Sequence, residues 1–230
     1  MKTTAIVLAA GKGSRMKSDT PKQFMELNNK PIIYFSLKAF EESVVDDIVI
    51  VTMPSMEEYI KKEIVEKYSF DKVSAVVSGS VARYLSVYNG LIVTKDTDYV
   101  LIHDSARPFV SVEMINSIVG LVKDKQAVIP AVPVKDTIKQ IDENGYVSNT
   151  PDRNMLVAVQ TPQAFSYSKL MEGYDAIDKT RVDDTITDDS CVWERFVGEP
   201  VYVANGEETN IKITTPEDLE VGKTFINKGV

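Results

Sequence analysis

Five short, mostly apolar runs rich in β-branched residues recur along the chain, at residues 5–8, 47–52, 73–77, 99–102 and 127–132. Strands of this kind suit a parallel sheet covered by helices on both faces rather than a sheet with one face in water. The stretches between them carry helical spacing. Ile33, Leu37, Phe40 and Val44 repeat on one helical face. Ser55 and Glu58, after Pro54, have the form of a capping box that Ile60 and Ile64 continue. Ser111 stands as an N-cap before Ile115, Ile118 and Val122. Thr215, Pro216, Glu217 and Asp218 supply a cap, a first-turn proline and first-turn acids ahead of Leu219. Strand and helix alternate, so the chain is expected to form an α/β fold with a doubly wound, mostly parallel sheet, in a single domain over residues 1–230.

Residues 134–156 break this rhythm. Polar alternation on either side of Asn144-Gly145 reads as a β-hairpin. The hairpin has few apolar residues to bury within its own subunit, so it is expected to protrude as an arm and pack on a second copy of the chain.

Charge and cysteine content narrow the function classes. The 230 residues carry a net charge of −8, which argues against nucleic acid as the main partner, since that needs a broad basic footprint. The single cysteine, Cys191, cannot form an intrachain disulfide and fits a reducing cytosol. No run approaches the roughly 18 apolar residues that span a bilayer, and the N-terminus leads directly into the first strand without a separate signal segment. The chain is expected to be cytoplasmic, with no membrane partner.

The stretch L-A-A-G-K-G-S-R-M-K-S-D-T-P-K-Q (residues 8–23) follows the first strand. Gly11 and Gly13 permit a tight turn and let backbone N–H groups approach a ligand, while Arg15 and Lys22 bring positive charge. Residues 1–30 hold six basic and two acidic side chains on an otherwise acidic protein, which points to a small polyphosphate. The loop is not a Walker A loop, because no glycine is followed by Lys and then Ser or Thr. Met16 replaces the third glycine of a dinucleotide fingerprint, which disfavours a nicotinamide-dependent oxidoreductase. Other strand ends add compatible groups. Asp104 and Arg107 close the run 102–108, where a carboxylate suits Mg²⁺ or its waters and a guanidinium grips phosphate. His103, the only histidine, flanks an apolar run and reads as structural. Gly79, Arg83 and Ser86 sit at a turn and the helix start after it. Residues 210–216 are expected to end a strand and start a helix, with Lys212 placed to reach inward, and Thr185, Thr187, Asp188 and Asp189 precede another helix.

Nine motifs in order carry a resemblance over nearly the whole chain: L-A-A-G-x-G-x-R-M (8–16), P-K-Q (21–23), R-x-x-S-V-x-x-G-L (83–91), H-D-x-A-R-P (103–108), P-V-x-D-T-x-K (133–139), D-R-N-x-L (152–156), T-P-Q (161–163), T-D-D (187–189) and N-I-K-I-T-x-P-x-D-L (210–219). Together they resemble the 2-C-methyl-D-erythritol 4-phosphate cytidylyltransferases of the non-mevalonate isoprenoid route. The resemblance implies a Rossmann-like nucleotidyltransferase fold, CTP and a polyol phosphate as substrates, Mg²⁺ as cofactor and a homodimer joined through the arm. By the same resemblance, Ala9, Ala10, Gly11 and Gly13 line the nucleotide and Arg15 and Lys22 hold its triphosphate. Gly79, Arg83 and Ser86 belong to the nucleotide side, with Ser86 and the turn at Gly79 reading cytosine. Asp104 lies near the metal, and Lys212 stabilises the reacting α-phosphate. Arg107, Thr161 and Thr187 face the polyol phosphate, while Thr137 and Arg153 reach the partner's site. The chain departs from the family at Ser80 and Val81, where a glycine and an acid are usual, and at Ser105, where alanine is commoner. A serine there also occurs in related ribitol-5-phosphate cytidylyltransferases, the first alternative. A non-catalytic nucleotide-binding relative would be expected to have lost Lys22, Asp104 or Lys212, and all three are present.

Overall fold

The computed structural model describes residues 1–11, 13, 16 and 21–227. The chain enters at β1 (Thr3–Ala9), forms a ribbon of β2 (Glu26–Leu27) and β3 (Lys30–Pro31), and passes through α1 (Ile32–Glu42) to β4 (Asp47–Thr52). Helix α2 (Glu57–Tyr59), continued by wider π turns over Ile60–Glu66, leads to β5 (Val73–Ser78), and α3 (Arg83–Val93) leads to β6 (Tyr99–Asp104). Then come α4 (Val112–Lys125), β7 (Ala127–Pro133) and a hairpin of β8 (Gln140–Ile141) and β9 (Val147–Asn149). The chain ends through β10 (Val157–Val159), β11 (Gln163–Ser166), α5 (Tyr167–Asp175), α6 (Asp189–Val192), β12 (Tyr202–Asn205) and α7 (Pro216–Asn227).

Eight strands, counted over the described residues, form one sheet in the order β10-β7-β11-β6-β1-β4-β5, with β12 also paired to β7. β1 is parallel to both β4 and β6, and β4 to β5. Side chains alternate between the faces with the period of two that a strand imposes. Ala5, Val7 and Ala9 pack with α1 and α4, whereas Ile6 and Leu8 pack with α3, α5 and Trp193. Each fully buried Leu, Ile or Phe in these two layers, such as Leu37, Phe40, Leu91 and Phe165, contributes roughly 1.5–3 kcal/mol. The sheet is therefore held from both sides, as the apolar runs require.

The chain first winds outward through β4 and β5 and then returns to add β6 on the other side of β1. A crevice opens at the carboxyl ends of the strands at such a reversal. Strand register fixes what meets there: Asp104 lies beside Leu8, Thr52 beside Ala9 and Ser78 beside Thr52.

Several local expectations are corrected. Ser55 does not cap a helix. It has φ +69° in a Met53–Met56 turn closed by the Met56 N–H on the Met53 carbonyl, with Pro54 just ahead of it, the arrangement of a type II turn. Val44 does not extend α1, which stops at Glu42 when the Ser43 hydroxyl bonds the Phe40 carbonyl. Residues 210–214 form no strand; they run alongside the sheet, tied by the Ile213 N–H to the Ala106 carbonyl. Three strands of the sheet go unannounced by the apolar runs: β10 and β11 are antiparallel to β7, β11 is also antiparallel to β6, and β12 is parallel to β7. The caps at Ser111 and Thr215 are present. Ser111 Oγ accepts from the Met114 N–H, and Thr215 and Asp218 cap each other reciprocally. The hairpin is present too, but only Gly145 has positive φ (+83°), and Asp142 Oδ1 accepts from the Asn144 and Tyr146 N–H groups. The turn is thus built on Asp142 with a glycine bulge rather than on a two-residue Asn-Gly loop.

Candidate active site

A cleft with a volume of about 1060 Å³ opens at the carboxyl ends of β1, β4, β5 and β6. Of the residues singled out in the sequence, Ala9, Ala10, Gly11, Lys22, Gly79, Arg83, Ser86, Asp104 and Lys212 line it. Gly13 stands beside Lys22 with φ +64°, a backbone state suited to glycine, and is not part of the lining. Arg15 lies outside the described residues.

One wall is backbone. The buried Gln23 amide donates to the Ala9 carbonyl at 2.6 Å and so braces the loop against the end of β1. Gly79 bonds through its N–H to the Thr52 carbonyl, and a Cβ there would stand 2.4 Å from the Ala10 Cβ and 2.9 Å from Ser86 Oγ. No side chain fits, so glycine is required by close approach. Ser86 Oγ accepts from the Ser80 N–H at 2.9 Å and donates to the Ala82 carbonyl at 3.0 Å, fixing the turn before α3. Ser80 and Val81, two of the three departures, are both exposed at this rim. Met53, Pro54 and Met56 add an apolar strip that the sequence reading passed over.

The other wall is charged. Asp104 ends β6 and uses both carboxylate oxygens. Oδ2 receives Lys212 Nζ at 2.5 Å, and Oδ1 receives Arg83 Nε at 3.1 Å. Burial alone would raise the carboxyl pKa, but Arg83 and Lys212 outweigh it and hold Asp104 well below the usual range. Arg83 reaches on to the fully buried Asp189, with NH1 2.9 Å from its Oδ2. Burial opposes the guanidinium charge, but Asp189 and Asp104 more than offset it. Asp189, whose carboxyl is pushed up by burial, also accepts from the Tyr174 hydroxyl at 2.7 Å. Lys22 Nζ lies 3.4 Å from the Ile213 carbonyl, next to Lys212 in the chain.

Behind Asp104 sits a second layer. The Thr161 hydroxyl accepts from the Asp104 N–H at 3.1 Å and lies 3.1 Å from His103 Nδ1, while His103 Nε2 is 3.2 Å from the Arg107 carbonyl. A carbonyl can only accept, so Nε2 carries the proton and Thr161 donates to Nδ1. His103 is fully buried, and burial lowers its pKa to about 4. It is structural, as its position suggested. Arg107 donates to the carbonyls of Asn210 (2.7 Å) and Val159 (3.3 Å), holding residues 210–213 against the sheet. The Asn210 amide donates to the Thr161 carbonyl at 2.9 Å. Gln163 and Asn210 stand inside motifs but carry no role of their own in the sequence, and Asp189 is there only one of several carboxylates ahead of a helix, because spacing alone gives no hint that they meet.

Thr187 is exposed just ahead of α6, whose N-cap is Asp188. Thr137 and Arg153 are exposed on the arm, where Arg153 donates to the Lys135 carbonyl. None of these three lines the cleft of this chain, and neither do Arg107 and Thr161. No described helix is long and apolar enough to cross a membrane.

A model of the 2-C-methyl-D-erythritol 4-phosphate cytidylyltransferases matches residues 3–228. The chain belongs to this family. A cytidylyltransferase of that name from Lachnoclostridium phytofermentans is 51% identical over 227 residues, covering 99% of this chain and 97% of the relative. One from Clostridium botulinum (strain Eklund 17B) is 47% identical, covering 98% and 99%. Among solved structures, the 4-diphosphocytidyl-2C-methyl-D-erythritol synthase of Anaerococcus prevotii superposes with a TM-score of 0.84 at 34% identity, covering 98% of this chain and 96% of that one. The arrangement of a mostly parallel sheet between helix layers is thus that of this cytidylyltransferase family, a Rossmann-like nucleotidyltransferase fold.

Proposed function

We propose that this chain transfers CMP from CTP to 2-C-methyl-D-erythritol 4-phosphate, giving 4-diphosphocytidyl-2-C-methyl-D-erythritol and pyrophosphate. The observation that carries the reading is the Lys212–Asp104–Arg83 cluster at one wall of a cleft whose other wall is backbone and small side chains. The acceptor phosphate oxygen attacks the α-phosphorus of CTP in line. A new P–O bond forms there, and the bond to the bridging oxygen breaks as pyrophosphate leaves. No covalent enzyme intermediate is needed, so positioning and charge stabilisation carry the catalysis.

The backbone at Ala9, Ala10, Gly11 and Gly13 and the turn of Gly79 to Ser86 hold the nucleoside. Lys22 and Arg15 hold the triphosphate. Lys212 is a flexible point charge that exchanges Asp104 for an α-phosphate oxygen when the nucleotide enters. Thr187 serves the acceptor, whereas Arg107 and Thr161 act behind the cleft, Arg107 by holding residues 210–213 and Thr161 by fixing the end of β6 at Asp104. Among the described residues, Asp104 is the one carboxylate lining the cleft, and no group of three His, Cys, Asp or Glu side chains could cage a metal. That donor set suits Mg²⁺ held by one carboxylate together with phosphates and water. When bound, the ion neutralises phosphate charge.

The arm supports a shared site. It places exposed Ile141, Tyr146, Val147 and Met155 on the same protrusion as Thr137 and Arg153. A second copy of the chain would cover that apolar surface and receive both polar groups at its own cleft.

The test is pyrophosphate release from CTP and Mg²⁺ with 2-C-methyl-D-erythritol 4-phosphate and, in parallel, with D-ribitol 5-phosphate. Ser105, which lines the cleft, makes the second acceptor the relevant comparison. Turnover of the first alone is expected. Turnover of the second alone would overturn the assignment.

A further inference from the structure

We infer that Asp189 is a positioning residue, which through Arg83 fixes the segment carrying Thr187 against Asp104 and so sets the acceptor side of the reaction relative to the nucleotide side. The inference rests on the function proposed above.

Two connections run from the start of α6 to Asp104. The first is made of side chains. Asp189 Oδ2 faces Arg83 NH1 at 2.9 Å, and Arg83 Nε donates to Asp104 Oδ1 at 3.1 Å. The second runs through Gln163. Its Oε1 accepts the N–H groups of Asp189 and Ser190, both at 3.1 Å, and its amide nitrogen donates to Asp188 Oδ2 at 2.8 Å. Two residues earlier, Thr161 accepts the Asp104 N–H. Asp189 is completely buried. A buried ion pair is a weak source of stability, and apolar residues of similar volume often do as well or better. Stability therefore gives little reason for a charge at this position. Geometry gives a better one: Arg83 spans two carboxylates, one in the cleft and one at the base of the segment that ends in Thr187 and Asp188. Loss of either carboxylate would free one end of that span.

The experiment compares Asp189→Asn with Tyr174→Phe. Asn keeps the size and can still accept from Tyr174, but it removes the charge opposite Arg83. Phe removes the hydroxyl on the same carboxylate and leaves the Arg83 pair in place, so it serves as a control for perturbing the buried cluster. Asp189→Asn is expected to raise the acceptor KM about tenfold, in the range of ordinary coupling between sites, while the CTP dissociation constant, measured without acceptor, stays within about twofold. Tyr174→Phe is expected to leave the acceptor KM within about twofold even where it lowers the melting temperature as much. An unchanged acceptor KM in Asp189→Asn, or equal factors on acceptor and CTP, would overturn the inference. Wild-type turnover tests the function separately, and the KM comparison is made with whichever polyol phosphate the wild type uses. Hydrogen exchange over residues 183–190 gives a readout that needs no substrate. Faster exchange in Asp189→Asn than in Tyr174→Phe supports the inference, and equal exchange in the two contradicts it.

Discussion

Three charges at the inner wall of the cleft, Lys212, Asp104 and Arg83, and Asp189 buried behind them alternate in sign. Each buried carboxylate has a cation, so none is left uncompensated where an unpaired charge would be most costly. His103 stands apart from this alternation. It is buried neutral between Thr161 and the Arg107 carbonyl, and its pKa is about 4 against 6.5 for a free imidazole. As the pH falls, the unfolded chain therefore takes up the proton first. The stability linked to His103 is complete above about pH 6.5 and is lost between there and about pH 4, by roughly 3 kcal/mol at most. Urea unfolding of the protein and of His103→Gln between pH 7 and 4.5 checks this. The stability difference between the two should shrink by that order as the pH drops, and a constant difference would contradict it. At this scale much was legible from sequence. Asp104, Lys212, Arg83 and the glycines were picked out because strand ends and turns concentrate such chemistry. Asp189 is legible only as one of several carboxylates ahead of a helix and Gln163 only as part of a motif, because only the return of β11 and α6 to the face of α3 brings them within reach.

At the scale of elements, the close seat of α3 on the sheet depends on one missing side chain. A Cβ on Gly90 would lie 2.7 Å from Ile6 Cγ2 and 3.0 Å from Val51 Cγ2, both in central strands that are packed on their other face as well. Gly90→Ala gains up to about 1 kcal/mol of helix propensity but overpacks a rigid contact, typically at a cost of 1–3 kcal/mol, so the variant should be less stable. Gly120 in α4 is the opposite case, since nothing lies within 4 Å of its Cβ position. Gly120→Ala should be more stable by roughly 0.5–1 kcal/mol. Opposite signs in thermal melts bear out the account, and two shifts in the same direction contradict it. The parallel strands and the helices that cover them were readable because burial on both faces leaves an unbroken apolar run. β10 and β12 were not. Val157 and Val159 and Tyr202 and Val203 are partly exposed on strands of three and four residues, too short to show a period.

For the whole molecule, the arm is the part whose sequence makes least sense in one copy. Met155 is 82% exposed and Tyr146 73% exposed on a hairpin with no core of its own. If a second copy covers them, sedimentation should give a dimer, and Tyr146→Asp should shift it toward monomer and lower activity with little change in the melting temperature. A fully active monomer would contradict the shared site. In the proposed mechanism, charge placed at the end of β6 drives cytidylyl transfer. Lys212 is partly exposed, so its loss should leave the fold intact while removing stabilisation of the transition state. The most direct test is pyrophosphate release from CTP in the presence of 2-C-methyl-D-erythritol 4-phosphate by the wild type and by Lys212→Ala. Acceptor-dependent release by the wild type is expected, with a loss of about 10²–10³-fold in kcat, or roughly 2.7–4 kcal/mol, in the variant. A Lys212→Ala protein that turns over at the wild-type rate would contradict the mechanism.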